Sequence, residues 1–277
     1  MIKIITKKNI KEYKSAIISG GDSYLYIPPN VSLRSYISHY CISFPNQETM
    51  PDKYTILPSA NSVLCIFVNN GKINTYYNGT NTKAVVVGEY ANKNDMLILI
   101  KFRAGGFFPF YGFNQSELID FSLDLSCIDK TISHKIEDAI VKSEQINELI
   151  AMLDRIFLSH LKKDSNDYIT GAIKLITGNN GNITAKKLCE ELHYSEKHIR
   201  RLFLEHIGTS PKKFSRIVRV NYASWLLQNN PLYFTDVFEK AGFFDQAHFI
   251  HDFRDIFNLT PSEYIKNMSV FYNTDSF

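Results

Sequence analysis

The stretch Ala241-Gly-Phe-Phe-Asp-Gln-Ala-His-Phe-Ile-His-Asp-Phe-Arg-Asp-Ile-Phe-Asn-Leu-Thr-Pro261 decides the fold of the C-terminal part of this 277-residue chain. Gly242 supplies a tight turn, and Asp245 is a favourable N-cap for the helix that follows. Apolar residues recur at helical spacing on the inner face of that helix: Phe249, Phe253 and Ile256 or Phe257. Asn258 stands where a left-handed residue commonly ends a helix. The stretch therefore predicts a turn followed by a capped helix.

The same arrangement occurs a second time, about fifty residues upstream. In that copy Thr184 and Ser195 are the predicted N-caps of two short helices, and Gly208 closes the second one. In the downstream copy Thr235 is the predicted N-cap of the helix that precedes the turn. A helix, a tight turn and a capped helix form the helix-turn-helix arrangement. Two such units are predicted, over residues 183–206 and 234–257.

A single helix is predicted between the two units, from Pro211 to about Asn229, because proline suits a first helical turn and one apolar stripe runs through it. The stripe consists of Phe214, Ile217, Val218, Tyr222, Trp225 and Leu226. A continuous helix there would fix the two units rigidly. Each unit could then enter one of two successive major grooves, about 34 Å apart.

The first half of the chain has a different texture. Short apolar or alternating runs, separated by Asn-Gly turn signals, predict strands over 62–68, 72–77, 83–88 and 96–102. Helical spacing then predicts a helix over 144–161. Its apolar face either packs on the sheet of its own domain, which we favour, or forms a dimer contact.

The predicted fold class is α+β. An N-terminal β-rich, barrel-like domain with flanking helices, a candidate sensing domain, is expected over residues 1–162. An all-α domain, in which a long helix joins the two helix-turn-helix units, is expected over 167–268. The polar run from Lys162 to Asp167 is the candidate linker.

Residues 168–268 resemble the DNA-binding domain of the AraC/XylS family of transcription regulators. The matching residues are Ile183, Leu188, Ser195, Ile199, Arg201, Phe203, Gly208, Pro211, Arg219, Ala223, Leu226, Leu227, Ala241-Gly242-Phe243, Asp245-Gln246-Ala247-His248-Phe249, Phe253, Thr260-Pro261 and Tyr264. Three positions depart from the family pattern: His251 replaces an arginine, Asn258 replaces a glycine, and Phe238 replaces a small residue. The resemblance implies a sequence-specific regulator of transcription that binds double-stranded promoter DNA. We expect an activator.

The candidate DNA contacts follow from the two predicted recognition helices. Lys197, Arg200 and Arg201 are expected at base edges, the arginines at guanine, and the resemblance places Lys197 and Arg201 at base-facing positions. In the second unit the base-facing candidates are Gln246, His248 and His251. Phosphate contacts are expected from Lys212, Lys213, Arg216 and Arg254. The alternative is that these charges only solvate helix surfaces, and that His251 is an ordinary surface histidine.

The two units differ in charge. Residues 184–219 contain nine basic and four acidic residues, whereas residues 232–266 contain three basic and six acidic residues. Because phosphate neutralisation supplies sequence-independent affinity, the first unit is expected to provide most of the binding energy. The acidic second unit is expected to face RNA polymerase when the protein activates transcription.

The first half also resembles one branch of the same family, in which a small β-rich domain carries a Leu-Pro-Asp-Gly stretch and a later Gly-Gly. The matching segments are Leu57-Pro58-Ser59-Ala60 and the run from Phe102 through Gly105-Gly106 to Phe110, but the Asp-Gly is absent. The dense aromatic residues either line an apolar effector pocket or form the core of the domain. The candidate ligand contacts are Tyr76, Tyr90, Phe107, Phe108 and Tyr111.

Other classes of protein are disfavoured by the sequence. Four scattered cysteines offer neither a metal-bound cluster, as a DNA-repair methyltransferase would need, nor a disulfide framework. Phosphate-loop, nucleophile-elbow and zinc-protease signatures are missing. We therefore expect no enzyme, no cofactor and no metal site. A binding protein that has lost DNA recognition is disfavoured by the basic first unit. With no signal peptide or membrane span expected, a soluble, cytoplasmic and nucleoid-associated protein follows. A second copy of the chain and a small-molecule effector are further candidate partners.

Overall fold

The computed structural model of the chain describes residues 5–162, 167–229 and 234–267. The strands of the first half are β1 (Ser19–Gly20), β2 (Tyr24–Ile27), β3 (Ile37–Ser43), β4 (Thr55–Ile56), β5 (Val63–Asn69), β6 (Lys72–Asn78), β7 (Val85–Val86), β8 (Met96–Phe102) and β9 (Ser122–Asp124). Its helices are α1 (Lys7–Glu12), α2 (Gly88–Ala91), α3 (Phe108–Tyr111), α4 (Ser126–Lys142) and α5 (Ile146–His160), with 3-10 turns at Val31–Leu33 and Gln115–Glu117.

The described residues of the second half form helices joined by short turns and loops, and none of these residues belongs to a strand. Its helices are α6 (Asp167–Gly178), α7 (Ala185–Leu192), α8 (Glu196–His206), α9 (Pro211–Asn229), α10 (Phe234–Lys240), α11 (Gln246–Phe257) and α12 (Pro261–Asn267). None of the helices in the described ranges is long and apolar enough to cross a membrane. The α+β class, with a sheet-rich half followed by a helical half, is confirmed.

Seven strands form one antiparallel sheet in the order β1-β2-β3-β8-β5-β6-β9, and β4 pairs with β7 in a separate two-stranded sheet. The β5–β6 hairpin turns at Asn70 and Gly71, which both have positive φ angles (49° and 76°), as a tight turn between twisted strands requires. Side chains alternate between the two faces of the sheet. Tyr40 and Ile42 of β3 lie in the core with α5, whereas His39 and Cys41 point to the opposite face, which lines a cavity.

Helix α5 matches the prediction over 144–161, and its apolar face is buried in the core of its own half. Packing on the sheet is therefore the use of that face. Beneath it, Asp154 of α5 accepts hydrogen bonds from the Tyr40 hydroxyl at 2.9 Å and from the Asn30 backbone N–H at 3.0 Å. These polar contacts fix the orientation of α5 against β3.

The predicted strand over 83–88 is wrong in most of its length. Only Val85–Val86 is extended, and Gly88 begins α2. A Cβ atom at Gly88 would lie 1.9 Å from the carbonyl oxygen of Pro51. The chain therefore turns at this glycine because another backbone segment passes too close for a side chain, a long-range constraint that the apolar run does not reveal.

The helix-turn-helix elements lie where the caps predict them. Thr184 Oγ1 accepts a hydrogen bond from the Lys187 N–H at 3.2 Å, and Asn258 ends α11 with a φ of 55°. Helix α9 has the predicted bounds. The predicted cap at Thr235 and the linker residues 163–166 lie outside what the structure describes, so the division into domains at 162 and 167 stays a prediction.

The two helix-turn-helix units are joined directly as well as through α9. Arg219 of α9 donates to the Gly181 carbonyl oxygen at 3.0 Å, and its guanidinium carbon lies 5.4 Å from the centre of the Phe243 ring. Asn182, at the entrance to the first unit, donates to the Ala241 carbonyl oxygen in the second at 2.9 Å. The units therefore form one body with a fixed spacing.

The two halves of the chain are also in contact. Ala60 is fully buried in the core of the helical half, and Asn221 of α9 donates to the Pro58 carbonyl oxygen at 2.8 Å. At the end of α8, Thr80 Oγ1 donates to the Ile207 carbonyl oxygen at 2.7 Å. The Leu57–Ala60 segment, which the sequence relates to a family motif, thus packs against the helical half.

Gly242→Ala is expected to destabilise the chain. Gly242 has a φ of 76°, and a Cβ atom there would lie 2.4 Å from the amide of Asn182. The left-handed conformation alone should cost about 1–2 kcal/mol, and the clash adds to it. Gly178→Ala is the control, since nothing lies within 4 Å of its Cβ position. Chemical denaturation of both variants should show a large loss for the first only; equal midpoints would contradict the prediction.

Candidate nucleic-acid interface and ligand cavity

The first recognition helix, α8, begins where Ser195 Oγ accepts a hydrogen bond from the His198 N–H at 3.3 Å. Its inner face buries Ile199, Leu202 and Phe203. Lys197, Arg200 and Arg201 are exposed on the opposite side, as the sequence predicts. Three cations therefore lie together on the outer face of a helix whose inner face is packed into the domain core.

Arg201 is free to reach a ligand. Its Nη1 lies 4.0 Å from Glu205 Oε2, and its side chain is 65% exposed. Exposed ion pairs of this kind stabilise a protein by about 0–1 kcal/mol. DNA can therefore displace the pair at little cost.

Lys212 and Lys213 lie in the first turn of α9. Ser210 Oγ accepts a hydrogen bond from the Lys213 N–H at 3.2 Å and so fixes the start of the helix. Lys212 is exposed and Lys213 is half-buried. Both stay available for the phosphate contacts that the sequence predicts.

The second recognition helix, α11, begins where Asp245 Oδ1 accepts from the His248 N–H at 2.7 Å. Gln246 and His251 are exposed. His248 is half-buried, with its Nε2 atom 3.4 Å from Asp252 Oδ2. Among these three candidates, His248 is thus the one held against the body of the domain.

Arg216, a predicted phosphate contact, is occupied inside the protein. Its Nη2 atom donates to Asp252 Oδ1 and to Asp255 Oδ2, each at 2.8 Å. The Asp252 side chain is only 5% exposed. Burial raises the pKa of Asp252, but Arg216, His248 and His251 together lower it by more, so the net shift is downward. Arg216 therefore holds α9 and α11 together. Arg254, another predicted phosphate contact, is exposed.

Sequence reasoning missed Asp252. It lies on the inner face of α11, where a charge is costly unless it is paired. The signal was available: counting from the two N-caps, Asp252 takes the place of the apolar Leu202 in the first unit. A carboxylate at an inward position indicates a buried partner, which proves to be Arg216 on the neighbouring helix.

A cavity of about 1130 Å³ lies between the outer face of the sheet and α9. Cys65 and Leu99 contribute to its sheet side, and Tyr222 and Trp225 contribute from α9. Of the five candidate ligand contacts, Tyr76 and Tyr90 line it.

Phe107, Phe108 and Tyr111 do not line this cavity, which corrects the sequence-based assignment. Phe107 is buried in the core, where its ring centre lies 3.9 Å from that of Tyr77 and 4.6 Å from that of Tyr111. The Phe108 ring centre lies 3.9 Å from that of His206 at the end of α8. Phe107 and Tyr111 lie in the core of the first half, and Phe108 lies between the halves. The sequence could not show this, because the sheet has two apolar faces and a cluster of aromatic residues does not indicate which face they join.

Lys101 and His39 are among the titratable groups that line the cavity, together with Asp120 and several tyrosines and cysteines. Burial lowers the pKa of Lys101 to about 8. Burial, and then the charges of Lys101 and Arg103, lower the pKa of His39 to about 3. At neutral pH the cavity therefore contains a protonated Lys101 and a neutral His39. Lys101 is the only lysine or arginine among the described residues that line it.

Trp225 and Tyr222 were expected on the inner stripe of α9, and the structure adds a role to them. Their rings are stacked with centres 6.1 Å apart, and Trp225 is 46% exposed. The helical period correctly identifies one apolar face, but it could not show that part of that face borders a cavity.

The match to a family model falls in the helical half. Residues 188–267 match a family model described as a helix-turn-helix domain. The lactose operon transcription activator of Staphylococcus xylosus is 27% identical over 106 residues, 38% of this chain and 38% of its own length. The transcriptional activator RhaR of Escherichia coli is 33% identical over 78 residues, 28% of each chain. The chain thus spans well under half the length of these curated relatives.

Two solved structures are similar. A transcriptional regulator of Chromobacterium violaceum, described as AraC-type, is 29% identical with a TM-score of 0.34, and the match covers 36% of this chain and 89% of that one. ToxT from Vibrio cholerae is 12% identical with a TM-score of 0.43, and the match covers 83% of this chain and 93% of that one.

Arg216→Met is expected to destabilise the helical half by about 3 kcal/mol at pH 7, because it leaves a buried carboxylate without its cation. In the native chain the lowered pKa of Asp252 means that its ion pairs stabilise the fold above the ordinary carboxylate pKa of about 3.9, and that this contribution is lost as the pH falls through the lowered value.

In the variant, burial is no longer opposed by Arg216 and raises the pKa of Asp252. The deficit relative to the native chain should then shrink as the pH is lowered toward about 4. Urea denaturation at both pH values measures it. Arg254→Met, at an exposed position on the same helix as Asp252, is the control and should change the stability by less than about 0.5 kcal/mol. A deficit that does not depend on pH would contradict the assignment.

Proposed function

We propose that this chain, whose C-terminal part is a helix-turn-helix domain of the AraC/XylS family, is a transcription regulator that binds promoter DNA through both recognition helices. The observation that carries the proposal is the exposed face of Lys197, Arg200 and Arg201 on a helix whose opposite face is buried. Major-groove recognition needs such a helix, with side chains that reach base edges.

The second unit supports the same function. Because Arg219 and Asn182 hold the two units in one body, entry of α8 into one groove presents α11 to the DNA at a fixed distance. Gln246 suits adenine, and His251 is exposed for a base or a phosphate. Lys212, Lys213 and Arg254 are proposed phosphate contacts, and Arg216 becomes one only if DNA displaces its two carboxylates.

Activation is the proposed outcome of binding, in keeping with the activator function named for two of the relatives. RNA polymerase is the proposed partner, met by the acidic residues of α10, Asp236 and Glu239. Because the proposed binding partner is chromosomal DNA, the proposed location is the nucleoid in the cytoplasm. A homodimer is proposed as the working form.

The cavity is the proposed site of a small-molecule effector. It is mostly apolar and bordered by Tyr76 and Tyr90, and Lys101 would favour a ligand that also carries an acceptor or negative group. Because α9 borders the cavity and also joins the two units, a ligand there contacts the element that fixes their spacing. Binding could then be transmitted to DNA without a separate relay.

DNA recognition is tested with an operator selected from random sequences by the full chain. Arg201→Ala should abolish specific binding in a gel-shift titration, whereas Gln246→Ala should cost about 1–3 kcal/mol. Lys212→Ala should weaken binding to all sequences and lower the salt slope by about 1. Lys130→Ala, an exposed cation in the first half, is the control. Greater loss from Gln246→Ala than from Arg201→Ala would sink the assignment.

The effector site is tested through Trp225, the single tryptophan of the chain. The apolar dye 1-anilinonaphthalene-8-sulfonate should bind in the cavity and quench Trp225 emission by energy transfer. Cys65→Phe fills the floor of the cavity and should abolish the quenching, whereas Cys127→Phe, at an exposed position elsewhere, should not. Quenching that survives Cys65→Phe in a protein with unchanged melting temperature would place the dye elsewhere.

A further inference from the structure

The two recognition helices can be compared position by position, because both begin at an N-cap that accepts a hydrogen bond from the N–H three residues later. Counting from Ser195 and from Asp245, the exposed cations of α8 correspond to different chemistry on α11. Lys197 corresponds to Ala247, Arg200 to Ile250 and Arg201 to His251. The surface that carries charge in the first unit is therefore largely apolar in the second.

The negative charge of the second unit does not lie on this surface. Asp245 is the N-cap of α11, and Asp252 and Asp255 bind Arg216. Glu263 accepts the Thr260 N–H at 2.7 Å as a cap of α12. Four of the six acidic residues thus take part in contacts within the fold, and the other two, Asp236 and Glu239, belong to α10 rather than to the outer face of α11.

Phe244 extends the apolar face into the turn before α11. Its side chain is 90% exposed, and Ile250 is 37% exposed. The corresponding residue of the first unit, Tyr194, packs against its own domain instead, with its ring centre 4.8 Å from that of Tyr168 and 4.6 Å from that of His198. Exposing a phenylalanine to water at this place is unfavourable unless a partner covers it.

Major-groove chemistry offers one apolar feature. Thymine carries a C5-methyl group there, and alanine or phenylalanine side chains contact it. Gln246, adjacent to the apolar residues, has the amide that pairs with the adenine of the same base pair. The face of α11 thus matches A·T pairs, whereas the face of α8 matches guanine and phosphate.

We propose that α11 and the turn before it read thymine methyl groups in an A·T-rich second half of the binding site, through Phe244, Ala247 and Ile250. This inference rests on the proposed function. The partner is DNA because α11 belongs to the same rigid body as α8, so that its outer face continues the DNA-facing surface of the first unit.

The test replaces thymine by deoxyuridine in the second half of the selected operator, which removes only the methyl group. The full chain should bind each such operator about three- to five-fold more weakly per contacted methyl, the loss expected for one buried carbon. Phe244→Ala and Ile250→Ala should weaken binding to the thymine operator and should be insensitive to at least one of the uridine replacements.

Three controls make the result specific. Val141→Ala, an exposed apolar residue on α4 that is 38% exposed, should keep the full uridine effect. Arg201→Lys should weaken binding to both operators while keeping their ratio. Uridine in the first half of the operator should give the same ratio for Phe244→Ala as for the native chain.

The failures can be told apart. If the native chain binds its operator but is indifferent to uridine in the second half, the inference is wrong and the proposed function stands. If the two alanine variants bind DNA normally but lose RNA polymerase recruitment, the apolar face serves the polymerase and the inference is again wrong. If the full chain selects no sequence at all, the proposed function fails and the inference falls with it.

Discussion

Arg219 is the contact on which the geometry of the helical half depends. It lies on α9, donates to the backbone of Gly181 before the first unit and covers the Phe243 ring of the second. Burial lowers its pKa, but an arginine remains charged, so it cannot escape the cost of desolvation by losing a proton. Its contacts must offset that cost, which they do only when both units hold their places. The spacing of the recognition helices is therefore a property of the fold rather than of a flexible hinge.

Helix α9 connects the two units to the rest of the molecule. One part of its surface carries the two units, and another part borders the cavity with Tyr222 and Trp225. The sheet-rich half reaches the helix through Pro58 and Ala60. Ala60 has a φ of 56°, a conformation that favours glycine, and it stands where the related branch has the glycine of its Leu-Pro-Asp-Gly stretch. In this chain the left-handed backbone at Ala60 serves contact between the halves.

Local chemistry explains why much of the helical half could be predicted from the sequence. Ser195, Asp245 and Asn258 act within one turn of helix, so their identity and spacing fix the element bounds. The side on which Phe107 and Phe108 lie could not be predicted, since it depends on strands paired across the sheet. The role of Arg216 was also out of reach, because its partners lie 36 and 39 residues away in sequence.

The net charge of a segment is a poor guide to the surface it presents. The second unit has an excess of acidic residues, yet Asp245, Asp252 and Glu263 serve as a cap, a buried ion partner and a second cap. Charges used in this way are largely neutralised within the protein, so they repel phosphate less than their number suggests. The outward-facing residues near the N-terminal end of α11 are the uncharged Gln246, Ala247 and Ile250. A helix of this kind adds little salt-dependent affinity, and its contribution to binding must come from fit to particular base pairs. The first unit would then hold the chain on DNA, and the second would decide where it stays.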